Sequence, residues 1–193
     1  MLVISLSACA TPAQPEKSQG LTKSSIESIS KQLASEGRSD QARILKDGSV
    51  SAAEYDAAFK DFDSCIEARG YSLSAPVVSP LTGTNYEFVF DSQGRDEAKA
   101  SAAYNDCSDQ HWAQVSAVYM DTARQKIDPP FAQAIESCLE GRGFKIDSKA
   151  ITFSQIAGKD PIKDKKRRSA AGACAQSTFQ SLYPTIPSLT LNY

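Results

Sequence analysis

Four cysteines and a single histidine are the side chains of this 193-residue chain best suited to chemistry, and their spacing limits what that chemistry can be. Cys65, Cys107, Cys138 and Cys174 stand at least 31 residues apart, with no CxxC pair among them. A structural zinc site draws its ligands from such close pairs, so no metal-ligating residue is assigned. An even set of dispersed cysteines fits the disulfides of an exported protein. His111 lies four residues after Cys107 on an apolar helical stripe and reads as a packed or half-exposed helix residue. As a catalyst it would need a cleft and a carboxylate within hydrogen-bond reach. No serine lies in GxSxG, HExxH is absent, and the 10 glycines are scattered, so no catalytic or cofactor-binding residue is assigned and no cofactor is expected. The pairs Asp61/Asp63 and Asp106/Asp109 read as carboxylates on solvated helix faces.

Two charged stretches invite a binding interpretation. DGSVSAAEY (47–55) resembles the second half of a calcium-binding EF-hand loop, but the register puts Arg43 and Leu45 where the ion needs oxygen ligands. A turn at Asp47-Gly48 and a capping box from Ser51 to Glu54 account for the same residues. The run KDKKRR (163–168) is able to meet phosphates, anionic headgroups or acidic polymers, and equally fits a solvated helix start. Trp112, Tyr104 and Tyr119 have helical spacing and read as core before ligand surface.

The elements that position the cysteines form a repeat. SCIEARGYSL (64–73) aligns without gaps with SCLEGRGFKI (137–146). Each segment ends an amphipathic helix, with Tyr55, Phe59, Phe62 and Ile66 on one stripe and Phe131, Ile135, Cys138 and Leu139 on the other. Gly70 and Gly143 sit where a left-handed residue terminates a helix. Beyond them the period changes to two, predicting strands at 71–78 and 144–154. A later helix in each half carries the second cysteine, on stripes from Tyr104 to Tyr119 and from Ala171 through Phe179 to Leu182. Four cysteines allow three pairings, and only Cys65–Cys107 with Cys138–Cys174 keeps each bridge within a repeat. Closing loops of this length contributes about 3–4 kcal/mol per bridge.

The remaining elements follow from caps and breakers. Helices are expected from Ser24, capped by Ser24-x-x-Glu27, to about 37, and over 39–46, 51–69, 94–126, 131–142 and 162–182. A second strand is expected at 85–91 (NYEFVFD), and Leu189 and Leu191 alternate in the tail as an edge strand would. The fold class is α+β, helix-rich, with two related Cys-containing helix–strand–helix halves forming one compact disulfide-stabilised domain over 24–193. The halves span about 47–126 and 127–193. Hydrophobic residues at 41% and aromatics at 8% allow a real but modest core, and a net charge of −2 gives no indication of a nucleic-acid partner.

The fifth cysteine stands apart. LSAC (6–9) resembles the lipobox of bacterial lipoproteins, in which the chain is cut before a cysteine that carries a diacylglyceryl group. The resemblance implies lipidation at Cys9, a signal-peptide remnant over 1–8, and a polar, Pro-containing tether over 9–23. Eight residues precede Cys9 and none is basic, so translation is expected to start further upstream. The apolar run MLVIS is far shorter than the ~20 residues of a membrane span. A second resemblance covers about 30 residues, ILKDGSVSAAEYDAAFKDFDSCIEARGYSL. It is similar to a pattern of secreted or lipid-anchored actinobacterial envelope proteins: a DG turn, a Ser/Thr-x-x-Glu-Tyr helix start and a CxxxxGY/F end. That likeness implies an envelope location and no activity.

Together these readings lead to a lipid-anchored cell-envelope binding or scaffold protein, attached through Cys9 to the extracytoplasmic face of the membrane. Its partner would be an envelope protein or a wall polymer. The alternatives are an envelope hydrolase using His111 with a neighbouring carboxylate, and an inhibitor or immunity-type lipoprotein with one stoichiometric partner.

Overall fold

Alternation along NYEFVFD decides how the chain is partitioned. Tyr86, Phe88 and Phe90 pack against one hydrophobic core, while Val89, together with Val77, packs against another. The computed structural model describes residues 20–146, 149–186 and 189; Cys9, the rest of 1–19 and Leu191 lie outside the described residues. In chain order the elements are α1 (Lys23–Ser35), α2 (Ser39–Ile44), a 3-10 turn (Leu45–Asp47), α3 (Ala52–Ala68), β1 (Ser72–Leu73), β2 (Val77–Val78), β3 (Tyr86–Glu87) and β4 (Phe90–Asp91). They continue with α4 (Glu97–His111), α5 (Ala113–Thr122), α6 (Pro129–Glu140), α7 (Phe153–Ala157) and α8 (Lys165–Leu182). The result is a compact, helix-rich α+β domain closed by two disulfides.

The strands form one interrupted antiparallel ribbon. Ser72 and Leu73 face Asp91 and Phe90, and Val77 and Val78 face Glu87 and Tyr86. Between these ladders Ser74 takes on both halves of a backbone pair. Its N–H donates to Val89 O (2.8 Å) and its hydroxyl accepts from Val89 N (2.9 Å). Pro76 lacks an N–H and removes a donor between the two ladders, whose registers differ by one residue.

The first core gathers α1 to α5, with Leu33, Leu45, Phe62, Ile66 and Val115 fully buried. The second gathers α6 to α8, with Phe131, Ile135, Leu139, Ile156 and Phe179 at its centre, and takes Leu81 from the ribbon's tip. The segment joining the halves is held by backbone bonds. Lys126 N donates to Thr82 O and Asp128 N to Pro80 O, both at 2.8 Å, while Ile127 N reaches Ile151 O at 3.1 Å. Gly83 has φ +67°, and a Cβ there would meet Lys126 O at 2.9 Å, so this turn needs glycine.

The two repeat segments end their helices identically. Gly70 N bonds Glu67 O and Tyr71 N bonds Ile66 O; Gly143 N bonds Glu140 O and Phe144 N bonds Leu139 O. Both are Schellman closures with a left-handed glycine and an aromatic folded back on the core. The box at Ser51 is also present, with Ser51 N donating to Glu54 Oε2 at 2.8 Å, and Asp47 Oδ1 accepts from Ser49 N at 3.1 Å to form the turn.

Three expectations are corrected. Among the described residues the stretch 144–154 forms no strand and pairs with none, and Gln155 Oε1 instead accepts from Ile151 N and Thr152 N to start α7. The helix expected over 94–126 is broken at Trp112 and ends at Thr122, while Asp128-Pro129-Pro130 opens α6, with Asp128 capping Phe131 N at 3.1 Å. The first helix is capped by Thr22 with Ser25, not from Ser24, and Leu21 already packs on the first core, its N–H donated to Asp121 Oδ2 at 2.5 Å. The tail expectation falls mostly outside the described residues; Leu189, the one of its two leucines described, is buried in the second core and its N–H bonds Gln176 Oε1 at 3.1 Å. Along the α8 stripe Ala171, Cys174 and Phe179 are buried as expected, whereas Leu182 is exposed.

Candidate functional site

Both within-repeat bridges are present. Cys65–Cys107 joins α3 to α4 with a Cα separation of 5.7 Å, and Cys138–Cys174 joins α6 to α8 at 5.9 Å. In each, the repeat cysteine is half-buried and its partner on the later helix fully buried. This placement ties the edge of one helix into the centre of its core.

His111 ends α4 and is half-buried. Its Nδ1 lies 3.3 Å from Asp40 Oδ2 on α2, across the junction between the two helices. The two atoms are close but not hydrogen-bonded: Nδ1 is shielded from water and has no hydrogen-bond partner. Behind this pair sits Gln41, which is completely buried. Its Nε2 donates to Asp109 O (2.6 Å), and its Oε1 accepts from Gln114 N (2.7 Å) and Val115 N (3.1 Å). One amide thus satisfies the carbonyl end of α4 and the N–H end of α5, which is why the helix breaks at Trp112. Among the described residues no group of three or more His, Cys, Asp and Glu side chains converges in a way that could hold a metal ion.

The other carboxylates are dispersed. Asp106 is exposed and pairs with Arg69 at 3.5 Å. Asp109 and Asp61 are exposed; Asp63 is half-buried, and burial followed by the charge of Glu67 raises its pKa.

A groove that sequence reasoning did not assemble lies between the ribbon and α4. It has a volume of about 440 Å³ and is lined by Phe88, Phe90, Ser101, Tyr104 and Asn105. The three rings are half-buried and braced from beneath: Phe90 and Phe62 meet Tyr104 at centroid distances of 5.3 and 5.4 Å, and Phe59 meets Phe88 at 5.2 Å. Burial raises the Tyr104 pKa, keeping the phenol neutral. Ser101 and Asn105 are exposed on the same side, one helical turn apart. A lining of ring faces with an amide and a hydroxyl at its edge suits a ligand that presents a flat apolar face and polar substituents. Tyr104 was legible as a candidate; the alternation of NYEFVFD carried the rings, but nothing local linked them to α4. Trp112 is buried and Tyr119 half-buried against Tyr55, so these two belong to the core.

The basic run divides in two. Arg167 donates to Ile156 O (2.7 Å) and Gln155 O (3.3 Å), and Arg168 to Gly158 O (2.9 Å), closing the carbonyl end of α7. Lys163, Lys165 and Lys166 are exposed. No helix among the described residues is long and apolar enough to cross a membrane. No known family model, curated protein or solved structure matches this chain.

Proposed function

We propose that the chain is a lipid-anchored binding module of the cell envelope, held through Cys9 at the extracytoplasmic face of the membrane and presenting its ring-lined groove to a wall polymer. The observation that carries this reading is the pairing of Cys65, Cys107, Cys138 and Cys174 in two bridges. Such bridges persist in oxidising compartments and are rare where glutathione keeps thiols reduced. They leave Cys9 as the one cysteine outside the bridges, in the setting that resembles a lipobox. The groove supplies the binding surface: Phe88, Phe90 and Tyr104 offer stacking faces, and Ser101 and Asn105 supply hydrogen bonds to a sugar-like ring.

The test is the intact, non-reduced mass of the mature protein recovered from its native membranes, followed by sedimentation with insoluble wall polymer. The expected product starts at Cys9, carries acyl mass, retains both bridges and co-sediments. Ser101→Arg, which places a long side chain across the groove from an exposed position, is expected to abolish co-sedimentation. An unmodified chain with free thiols would overturn the location; co-sedimentation indifferent to Ser101→Arg would overturn the groove.

A second reading rests on His111 and Asp40. The 3.3 Å approach provides the neighbouring carboxylate that an envelope hydrolase would require. It predicts hydrolysis of a wall substrate that is lost in both His111→Ala and Asp40→Asn, whereas the binding module tolerates both changes.

A further inference from the structure

The loop before α8 and the first turn of that helix sort their charges. Residues 158–168, GKDPIKDKKRR, hold six basic and two acidic side chains, a net of +4 in a chain whose overall charge is −2. The acidic groups are turned into the loop. Asp160 Oδ1 accepts from Ile162 N and Lys163 N, both at 2.9 Å, and these backbone bonds lower its pKa; Asp164 Oδ2 accepts from Asp160 N at 3.0 Å. Asp164 is folded so closely over Gly158 that a Cβ there would meet its side chain at 2.5 Å. The two arginines are spent on the carbonyls of Gln155, Ile156 and Gly158. What remains outward is Lys159, Lys163, Lys165 and Lys166, all exposed and flanking in sequence Ile162, which is 86% exposed.

None of this outward set is explained by folding. Ile162 is the most exposed of the large hydrophobic residues in the described chain, and a turn stitched by Asp160 holds it away from the core. Lys165 and Lys166 occupy the first turn of α8, where the helix dipole disfavours cations. Lys163 has Asp160 nearby, but only at 3.8 Å and with its side chain largely in water. Exposed lysines on either side of a projecting aliphatic residue are complementary to a bilayer surface, where anionic headgroups meet the lysines and the acyl boundary takes the apolar side chain.

We infer that the 158–166 tip is a second membrane contact, binding anionic phospholipid headgroups through Lys159, Lys163, Lys165 and Lys166 and inserting Ile162 at the headgroup–acyl boundary. The inference goes beyond the lipid anchor and stands without it, because the tip is complete in the folded body. With both contacts engaged, the domain would be oriented on the membrane instead of free at the end of its tether.

The test uses the full chain with both bridges formed and Cys9→Ser, so that no acyl group contributes. Vesicles of phosphatidylcholine are compared with vesicles of phosphatidylcholine and phosphatidylglycerol. Binding is expected to the mixed vesicles alone and to weaken with added salt. Replacing the four lysines with glutamine is expected to lower it by at least about tenfold. Ile162→Ser is expected to lower it about tenfold while leaving the salt dependence unchanged. Circular dichroism and free-thiol titration confirm that the variants remain folded and bridged. Equal binding to neutral vesicles, or no loss in the lysine variant, would overturn the inference. Ile162→Ser without effect, combined with full competition by a soluble polyanion, would overturn it in favour of an acidic polymer. Failure of the vesicle assay leaves the mass of the mature chain, and so the anchor at Cys9, to be decided separately.

Discussion

Tyr55 joins the ribbon to the helices through one oxygen. Its ring is buried against Tyr119, Trp112 and Tyr86, and its hydroxyl accepts the Tyr86 N–H at 3.0 Å. Burial pushes its pKa from 10.0 up to about 12, with the Tyr86 N–H bond acting in the opposite direction. The fold therefore favours the neutral phenol. Below pH 10 both folded and unfolded chains hold it neutral, and that contribution to stability is fully present. As pH rises from 10 towards 12 the unfolded chain ionises first, so stability is lost across that window, by up to about 3 kcal/mol. Tyr55→Phe is expected to lower stability at neutral pH by about 1–2 kcal/mol, because the Tyr86 N–H loses its acceptor. The same variant should show a shallower decline above pH 10. Urea denaturation on either side of pH 10 measures both effects, and identical slopes for variant and wild type would contradict the assignment.

At the scale of elements, the break between α4 and α5 depends on Gln41. Nothing within the stretch signals it: Trp112 is flanked by His111 and Ala113, and neither glycine nor proline occurs between Asp96 and Thr122. The chain leaves helical geometry at Trp112 (φ −128°, ψ −50°) because a side chain 71 residues earlier satisfies the freed groups. Gln41→Leu, of similar size, would strand the Asp109 carbonyl and the Gln114 and Val115 N–H groups. It should cost about 2–4 kcal/mol, read as a lower denaturation midpoint at unchanged m-value. A loss below about 0.5 kcal/mol would mean that another group closes the break. The contrast with α3 and α6 explains what was legible. Caps and stripes are local: Ser51, Glu54, Gly70 and Gly143 specify helix ends from their own neighbours, and Tyr55, Phe59, Phe62 and Ile66 mark the buried face. The bridges were legible because the repeat made one half a template for the other. The two-residue period beyond Gly143 misplaced a strand at 144–154. In the first half the ribbon pairs 72–78 with 86–91, and the described residues of the second half offer no such partner, so Thr152 and Gln155 start a helix instead. The groove was illegible for the reason the helix break was: its rings and its polar edge meet only in three dimensions.

For the molecule as a whole, the two cores share a seam but not their closures. Each encloses its own bridge, with Cys107 fully buried in the first and Cys174 in the second. The cores are also built differently. Stacked and edge-on rings from Tyr55 to Trp112 fill the first, whereas the second centres on Phe131 and Phe179 among aliphatic side chains and alanines. The seam consists of the ribbon, whose two faces serve the two cores, and of the backbone bonds from Lys126 and Asp128 to Thr82 and Pro80. Sub-globular opening should follow this division. The Cys138–Cys174 bridge closes a separation of 36 residues, so removing it with Cys138→Ala and Cys174→Ala releases chain entropy worth up to about 4 kcal/mol. That loss falls on α6, α7 and α8, which the Cys65–Cys107 bridge does not constrain. In hydrogen exchange of this variant, amides of α6–α8 should lose protection first while those of α3 and α4 keep theirs, and the co-sedimentation proposed for the groove between α4 and the ribbon should persist. Simultaneous loss across both halves would show that the seam couples them into one cooperative unit, and that the bridges stabilise the whole body and not the halves in which they lie.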